Sequence, residues 1–340
     1  MARGIALLIA VLAWGAAPSM RADLVSPSLL WGPTVVGTNA GSAYYLNDNV
    51  VAGDVLGGHI GYGPYEQAAN GTLVSSLATA PVASAKAAVR VGDYVYFTGD
   101  SGGVYRTQVG NTATPWSTFT NCAVGNGLAL ETITTDGTHI FGSTSAANDQ
   151  VHAYSVDPAT GALTLLWSTS NIVGRVRGID WDASGYLYAA DGGGPAENAT
   201  NNTAHIYAID AATGATTDMG TITFNGRQYQ SIREGNQLVV FDSYTGGASG
   251  VPAGQMYVYN LTGDTALAST IPVSVWDPAG IDRIFGAAID GNQMWLTSIN
   301  GQTFGYAVPE PATIVLLCLG AVWLAMALGR GRGGGRELRG

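Results

Sequence analysis

The stretch Arg175–Asp191 reads RVRGIDWDASGYLYAAD. Two short runs of β-branched and aromatic residues flank D-A-S-G, and Gly185 stands where a tight hairpin needs a residue at positive φ. Four further stretches repeat the pattern: AKAAVRVGDYVYFTG (85–99), GLALETITTDGTHIFGS (127–143), RQYQSIREGNQLVVFDS (227–243) and DRIFGAAIDGNQMWLTS (282–298). Their turn glycines, Gly92, Gly137, Gly185, Gly235 and Gly291, follow one another at 45, 48, 50 and 56 residues. A fainter sixth copy, PTVVGTNAGSAYYLND (33–48), places Gly41 a further 51 residues upstream.

A third strand follows each hairpin: GVYRTQV (103–109), QVHAYSVD (150–157), HIYAID (205–210), QMYVYNL (255–261) and TFGYAV (303–308). In two units a D-x-x-T-G turn, Asp157–Gly161 or Asp210–Gly214, leads into a fourth strand. Four-stranded units at this period predict an all-β fold, a β-propeller of about six four-stranded blades over residues 23–308. The last unit lacks a fourth strand before Pro309. LVSPSLLW (24–31) is expected to supply it, closing the ring and covering both sheet edges. A seven-bladed ring with another blade within residues 42–84, or an open array of β-sandwiches, are the alternatives. The D-x-x-T-G turns resemble those of quinoprotein-type and similar secreted propellers.

Composition agrees with this reading. Of 340 residues 48 are Gly and 11% are charged, as suits turn-rich β structure. The net charge is −10, yet six of the 14 basic residues are terminal (Arg3, Arg21, Arg330, Arg332, Arg336, Arg339), so the body is more acidic still. Such a surface repels phosphates and excludes nucleic acid as a partner. With Cys318 in the C-terminal apolar run, Cys122 is the single thiol of the body, which rules out an internal disulfide there. His59, His139, His152 and His205 lack metal-ligand spacing and read as ordinary strand or loop residues.

The two ends carry addresses. Arg3, an apolar run from Gly4 to Ala17 and small residues up to Ala22 have the layout of a secretory signal over residues 1–22. At the other end, Ala312–Leu328 is uncharged and at the short end of a membrane span. Arg330, Arg332, Arg336 and Arg339 follow and are expected on the cytoplasmic side, with the body across the membrane. Val308-Pro309-Glu310-Pro311-Ala312, the apolar helix and the Arg-rich end together resemble the PEP-CTERM sorting signal, over residues 309–340. That resemblance implies export in a Gram-negative host that makes exopolysaccharide. It further implies an exosortase as partner, transient anchoring by the helix at 312–328, and release to the cell surface or matrix.

Three motifs in the body invite chemical readings. Gly99-Asp100-Ser101-Gly102-Gly103 has the wording of a serine-protease nucleophile. It lacks an accompanying histidine segment and occupies the slot filled by ADGGG, FDSYTGG and TSINGQ in other units, so it is expected to be an inter-strand loop. Asp180 and Asp182 resemble the start of a calcium loop, and Asp191 and Glu197 flank a second candidate, but a β-turn and a surface loop are the simpler expectations. Counting eight residues back from the turn glycines gives Arg177, Arg227 and Arg283, with Ser84 and Ala129 in the other units. On the innermost strands these arginines would form an anion-binding ring suited to acidic sugars, or staple neighbouring blades. No further cofactor is expected.

The expected function is a surface or matrix protein whose propeller is a binding or structural scaffold for glycans or other partners. The alternative is a secreted propeller enzyme, a polysaccharide lyase, a glycosidase or a quinone-dependent dehydrogenase. For a glycosidase Glu131, Asp180, Asp191 and Asp242 are the available carboxylates, and no spacing selects a pair among them.

Overall fold

A computed structural model describes residues 27–35, 44–51, 54–59, 63–76, 85–99, 103–108, 120–122, 130–144, 148–170, 172–173, 176–191, 203–223, 228–242, 254–278, 281, 284–298 and 302–308. The expected signal peptide, the tail after Val308, Glu197, Arg227 and Arg283 lie outside them. The described residues form 27 strands and no helix, and none of them belongs to a helix long and apolar enough to cross a membrane.

The chain is a six-bladed β-propeller. Its first strand is β1 (Ser28–Val35). Blade one is β2 (Tyr44–Val51), β3 (Asp54–His59), β4 (Gly63–Gln67) and β5 (Leu73–Ser76). Blade two is β6 (Ala85–Val91), β7 (Tyr94–Gly99), β8 (Val104–Gln108) and β9 (Thr120–Cys122). Blade three is β10 (Leu130–Thr135), β11 (His139–Thr144), β13 (Val151–Val156) and β14 (Leu163–Ser168); β12 (Asn148–Asp149) pairs with β15 (Ile172–Val173) beside it. Blade four is β16 (Val176–Asp182), β17 (Tyr186–Asp191), β18 (Thr203–Asp210) and β19 (Thr216–Thr223). In blade five, β20 (Gln228–Glu234), β21 (Gln237–Asp242) and β22 (Met256–Gly263) are followed by a divided outer strand, β23 (Ala266–Leu267) and β24 (Ser274–Trp276). Blade six is β25 (Ile284–Asp290), β26 (Gln293–Ser298) and β27 (Gln302–Ala307), completed by β1. The expected closure is therefore present: Ser28 pairs with Ala307 and Val35 with Gln302.

One element differs from the reading of the repeats. Pro33–Val35 lie in β1, which pairs with β27, and Tyr44–Leu46 lie in β2, which pairs with β3, so the two arms of the faint copy do not pair with each other; Gly41 lies outside the described residues. The hairpin of blade one pairs Val51 with Asp54 instead. Residues 42–84 do hold a blade, but it is blade one itself, and the count stays at six.

The innermost strands contact each other in the cyclic order β2, β6, β10, β16, β20, β25 and back to β2. Each inner sheet is covered on both sides by neighbouring blades. This is why second strands such as YLYAAD and QMWLTS are buried almost throughout, while the outer β14 is mostly exposed. The core consists of layers between blades. Ile232, Val239 and Phe241 of blade five meet Ala287, Met294 and Leu296 of blade six, and the other clusters join blades one to two, two to three, three to four and four to five.

Polar latches fasten the seams at the face carrying the hairpin turns. Tyr96 of blade two donates to Gly161 O in the β13–β14 turn at 3.1 Å, and Tyr188 of blade four to Asp264 O in the β22–β23 turn at 2.9 Å. Trp167 Nε1 of blade three donates to Ala211 O in the β18–β19 turn at 3.1 Å, and Gln293 of blade six donates to Ala69 O of blade one. Burial pushes the Tyr96 hydroxyl up to about 12, so it remains a donor. This packing explains both D-x-x-T-G glycines. Gly214 has φ +74° and a Cβ there would stand 2.7 Å from the Trp167 ring, while one on Gly161 would stand 2.8 Å from Arg106 Cδ. Gly214→Ala is expected to cost about 2 kcal/mol, from left-handed strain plus overpacking. Gly92→Ala, at φ +57° with open space around it, should cost about 1 kcal/mol. Equal urea midpoints for the two variants would refute the seam contact.

Candidate functional site

All six innermost strands carry a register irregularity, and in five of them, β6, β10, β16, β20 and β25, it follows directly after the first ladder pair. It falls between Leu46 and Val50, Ala85 and Ala87, Leu130 and Thr132, Val176 and Ile179, Gln228 and Gln230, and Ile284 and Gly286. The residues left out of the ladder are Asn47-Asp48-Asn49, Lys86, Glu131, Arg177-Gly178, Tyr229 and Phe285. Bulges re-aim side chains and cluster beside functional sites. Five of them at one level form a girdle at one mouth of the channel, opposite the face of the hairpin turns; that of β2 lies two pairs from its hairpin turn.

Lys86 and Glu131 fill adjacent bulges in blades two and three. They form an ion pair at 3.6 Å, with side-chain exposures of 16% and 8%. Lys86 is the single lysine of the chain. Buried hydroxyls bond carbonyls in or beside the bulges. Thr98 donates to Glu131 O at 3.4 Å, Ser143 to Val176 O at 3.0 Å and Thr297 to Gly286 O at 3.4 Å. Gln230 Oε1 accepts from Ala287 N at 2.7 Å. The second strands of several blades thus end in a buried Thr or Ser for a local reason.

The register alters the arginine alignment. The first residues of the innermost strands pair with the last residues of the second strands: Val176 with Asp191, Gln228 with Asp242, Ile284 with Ser298. Arg175, Arg227 and Arg283 are the residues immediately before those positions in the sequence. Arg177 instead occupies the blade-four bulge, level with Lys86 and Glu131. The extra bulge residue and the three-residue turn Ala183–Gly185 move Gly185 by two places, which misled the count from the turn glycine.

The remaining candidates separate. Of the GDSGG stretch, Asp100, Ser101 and Gly102 lie outside the described residues; Gly99 ends β7, and its N donates to Gly103 O, just before β8, at 3.0 Å. Asp191, the last residue of β17, is buried and accepts the His205 amide of β18 at 2.9 Å. Asp180 and Asp182 lie toward the other end, where a cation is supplied by the protein. Asp180 accepts Arg233 N at 3.3 Å, and Asp182 lies 3.5 Å from the Arg233 guanidinium while capping its own turn through Ser184 N at 2.8 Å. Among the described residues no group of three or more metal-ligating side chains is present.

His139, His152 and His205 are also apart. His139 bonds Asp136 at 2.7 Å and His205 bonds Asp218 at 3.0 Å. His152 is buried, with Nδ1 2.7 Å from Ser168 Oγ and, among the described residues, no hydrogen-bond partner for Nε2. Burial lowers its pKa below 6.5. The unfolded chain then binds the proton first, so stability is complete above about pH 6.5 and falls as the pH drops from there toward the folded pKa, by up to about 1.4 kcal/mol per unit of depression. His152→Gln should flatten that slope in urea titrations between about pH 7.5 and 5; an unchanged slope would clear His152 of the effect.

Sequence reasoning missed the arginines that hold the seams. Arg233 of blade five reaches Asp182, Ser184 and Tyr188 of blade four as well as Asp264 of its own blade. Arg90 of blade two is the charge that partly offsets the desolvation and Asp54 repulsion raising Glu66 of blade one. Both arginines stand two residues before a turn glycine, Gly235 and Gly92, and each caps that glycine's carbonyl, at 2.8 and 3.1 Å. The shared offset was a readable signal.

No protein-family model matches the chain, and no curated protein matches it in sequence. Solved structures share its fold. A chain of the mitotic checkpoint complex superposes with a TM-score of 0.50 at 12% identity, over 76% of this chain and 74% of that one. The Neurospora crassa Pan2 WD40 domain gives 0.47 at 14% identity, over 78% and 75%. The computationally designed Ika8 protein gives 0.47 at 10%, over 85% and 98%. These similarities concern the fold.

Proposed function

We propose that this chain is an exported propeller, sorted through its C-terminal tail, whose bulged mouth binds anionic glycan at the cell surface or in an extracellular matrix. The observation that carries the binding reading is the level girdle of five bulges, with Lys86 and Glu131 in two of them and Arg177 in a third. Arg175, Arg227 and Arg283, each one residue ahead of an innermost strand in three consecutive blades, add positive charge to an acidic chain. Guanidinium groups hold carboxylates by paired hydrogen bonds, which suits uronic acids over neutral sugars.

Export rests on the expected signal peptide, and sorting on the PEP-CTERM resemblance of the tail, with an exosortase as the processing partner. Intact-mass measurement of membrane and released fractions from the native host tests the tail: a released form ending near Pro311 is expected, and a full-length C-terminus in every fraction would contradict it. A glycan array with turnover assays on the same polysaccharides tests the mouth. Uronate binding without turnover is expected, and Arg227→Gln/Arg283→Gln should weaken it at unchanged stability. Turnover would favour the lyase or glycosidase reading instead.

A further inference from the structure

The chain leaves the fold at a defined place. Val308 is buried, and its amide donates to Asn292 O at 2.7 Å in the turn of blade six. Only Pro309, Glu310 and Pro311 separate it from the apolar run that begins at Ala312. That link spans at most about 14 Å fully extended. If the run at 312–328 is in a membrane, the turn face of blade six is held within that distance of the lipid surface.

The strand beside the exit is dressed for such a surface. In β1, Ser28 pairs with Ala307 and Leu29 with Tyr306, so the start of β1 adjoins the end of β27. The next pair is Trp31 with Gly305, which leaves Leu30 as the extra residue of a bulge. Both leucines consequently face outward, with exposures of 56% and 54%. On neighbouring blade one, Leu73 and Val74 begin the outer strand at the same turn face and are exposed by 41% and 38%. Water does not reward four exposed aliphatic side chains on adjacent blades, whereas the interfacial zone of a bilayer does.

We infer that this corner, Leu29 and Leu30 with Leu73 and Val74, seats the propeller on the lipid surface while the tail is anchored. The bulged mouth is on the opposite face, so the channel girdle is turned away from the membrane, toward incoming glycan. The inference rests on the membrane reading of residues 312–328, and the test separates the two.

Chain 23–340, with Cys122→Ala and Cys318→Ala, is reconstituted into phosphatidylethanolamine–phosphatidylglycerol liposomes carrying spin-labelled lipid. An environment-sensitive fluorophore is placed on Leu29→Cys or Leu30→Cys, and on Leu166→Cys as a control. Leu166 is exposed by 51% on the outer strand of blade three, across the ring from blade six. All three positions are solvent-exposed, so labelling leaves the core intact. The expected result is co-flotation with the liposomes and quenching at 29 and 30 at least about twofold deeper than at 166, since seated side chains lie at the headgroup–acyl boundary. Co-flotation with equal quenching at all three sites would overturn the seating. Failure to float would overturn the membrane reading and the seating with it, before any fluorescence is read.

Discussion

A chain beginning at residue 36 is expected to lose its cooperative native state or retain it with a greatly reduced urea midpoint. The deletion removes β1, the outer strand of blade six, and leaves the backbone edge of β27 unpaired. It also removes Gly32, which lies so close to Phe304 that a Cβ there would stand 2.8 Å from its ring. Phe304 and Tyr306 belong to the layer joining blades five and six, so the damage reaches the core. Native domains have only about 5–15 kcal/mol in hand, and losing a strand that closes the ring is expected to consume at least about 4 kcal/mol. The open edge should also promote association between copies. Peptide 27–35 added in trans should restore the midpoint in a concentration-dependent manner, because strand addition supplies the missing ladder. A truncated chain that unfolds at the wild-type midpoint would show that the closure contributes nothing.

Why this closure was legible, while other features were not, follows from where the information sits. A missing fourth strand before Pro309 and an unassigned strand-like run at the start are both local facts, and a ring requires them to meet. The hairpin glycines were legible for the same reason, since Gly92 at φ +57°, Gly235 at +60° and Gly291 at +58° meet a local backbone requirement. Blade one was obscured because Asn47-Asp48-Asn49 interrupts the alternation of β2, and its second strand, DVLGGH, has few strand-forming residues. PTVV was misplaced since strand composition does not say which blade a strand joins. The girdle was hidden because a bulge is a property of pairing: only the partner strand shows that Lys86, Glu131 and Arg177 share a level. Seam latches such as Trp167 to Ala211 join residues 44 apart in sequence and leave no local trace beyond the D-x-x-T-G glycine.

Arg233→Met should destabilise the domain by about 3 kcal/mol, the largest loss expected from a single polar side chain here. The guanidinium is 12% exposed and touches two blades. It lies 2.7 Å from Asp264 and 3.5 Å from Asp182, donates to Ser184 Oγ at 2.8 Å and to the Tyr188 hydroxyl, and stacks over the Tyr188 ring at 5.5 Å. Its Nε holds Gly235 O at 2.8 Å, which fixes the turn of its own hairpin. Desolvation works against the charge, but Asp264, Tyr188 and Asp182 together raise its pKa, so the ion remains in place. Methionine fills much of the volume and removes the fork, leaving Asp182 half-buried without its cation. The figure stays at the lower end for buried pairs because Asp264 is 47% exposed and water replaces part of its partner. For a domain of this size the melting midpoint should fall by about 6 °C. Arg233→Lys should recover only a minority of the loss, as a single ammonium cannot serve Asp264, Ser184 and the Gly235 carbonyl together. Arg233→Met combined with Asp182→Asn should cost less than the two changes summed, since the second removes the charge stranded by the first. Additive losses would mean that the side chain acts through packing alone and that the seam between blades four and five is held by its apolar layer, while a lysine variant as stable as wild type would mean that a single positive charge suffices and the fork contributes nothing.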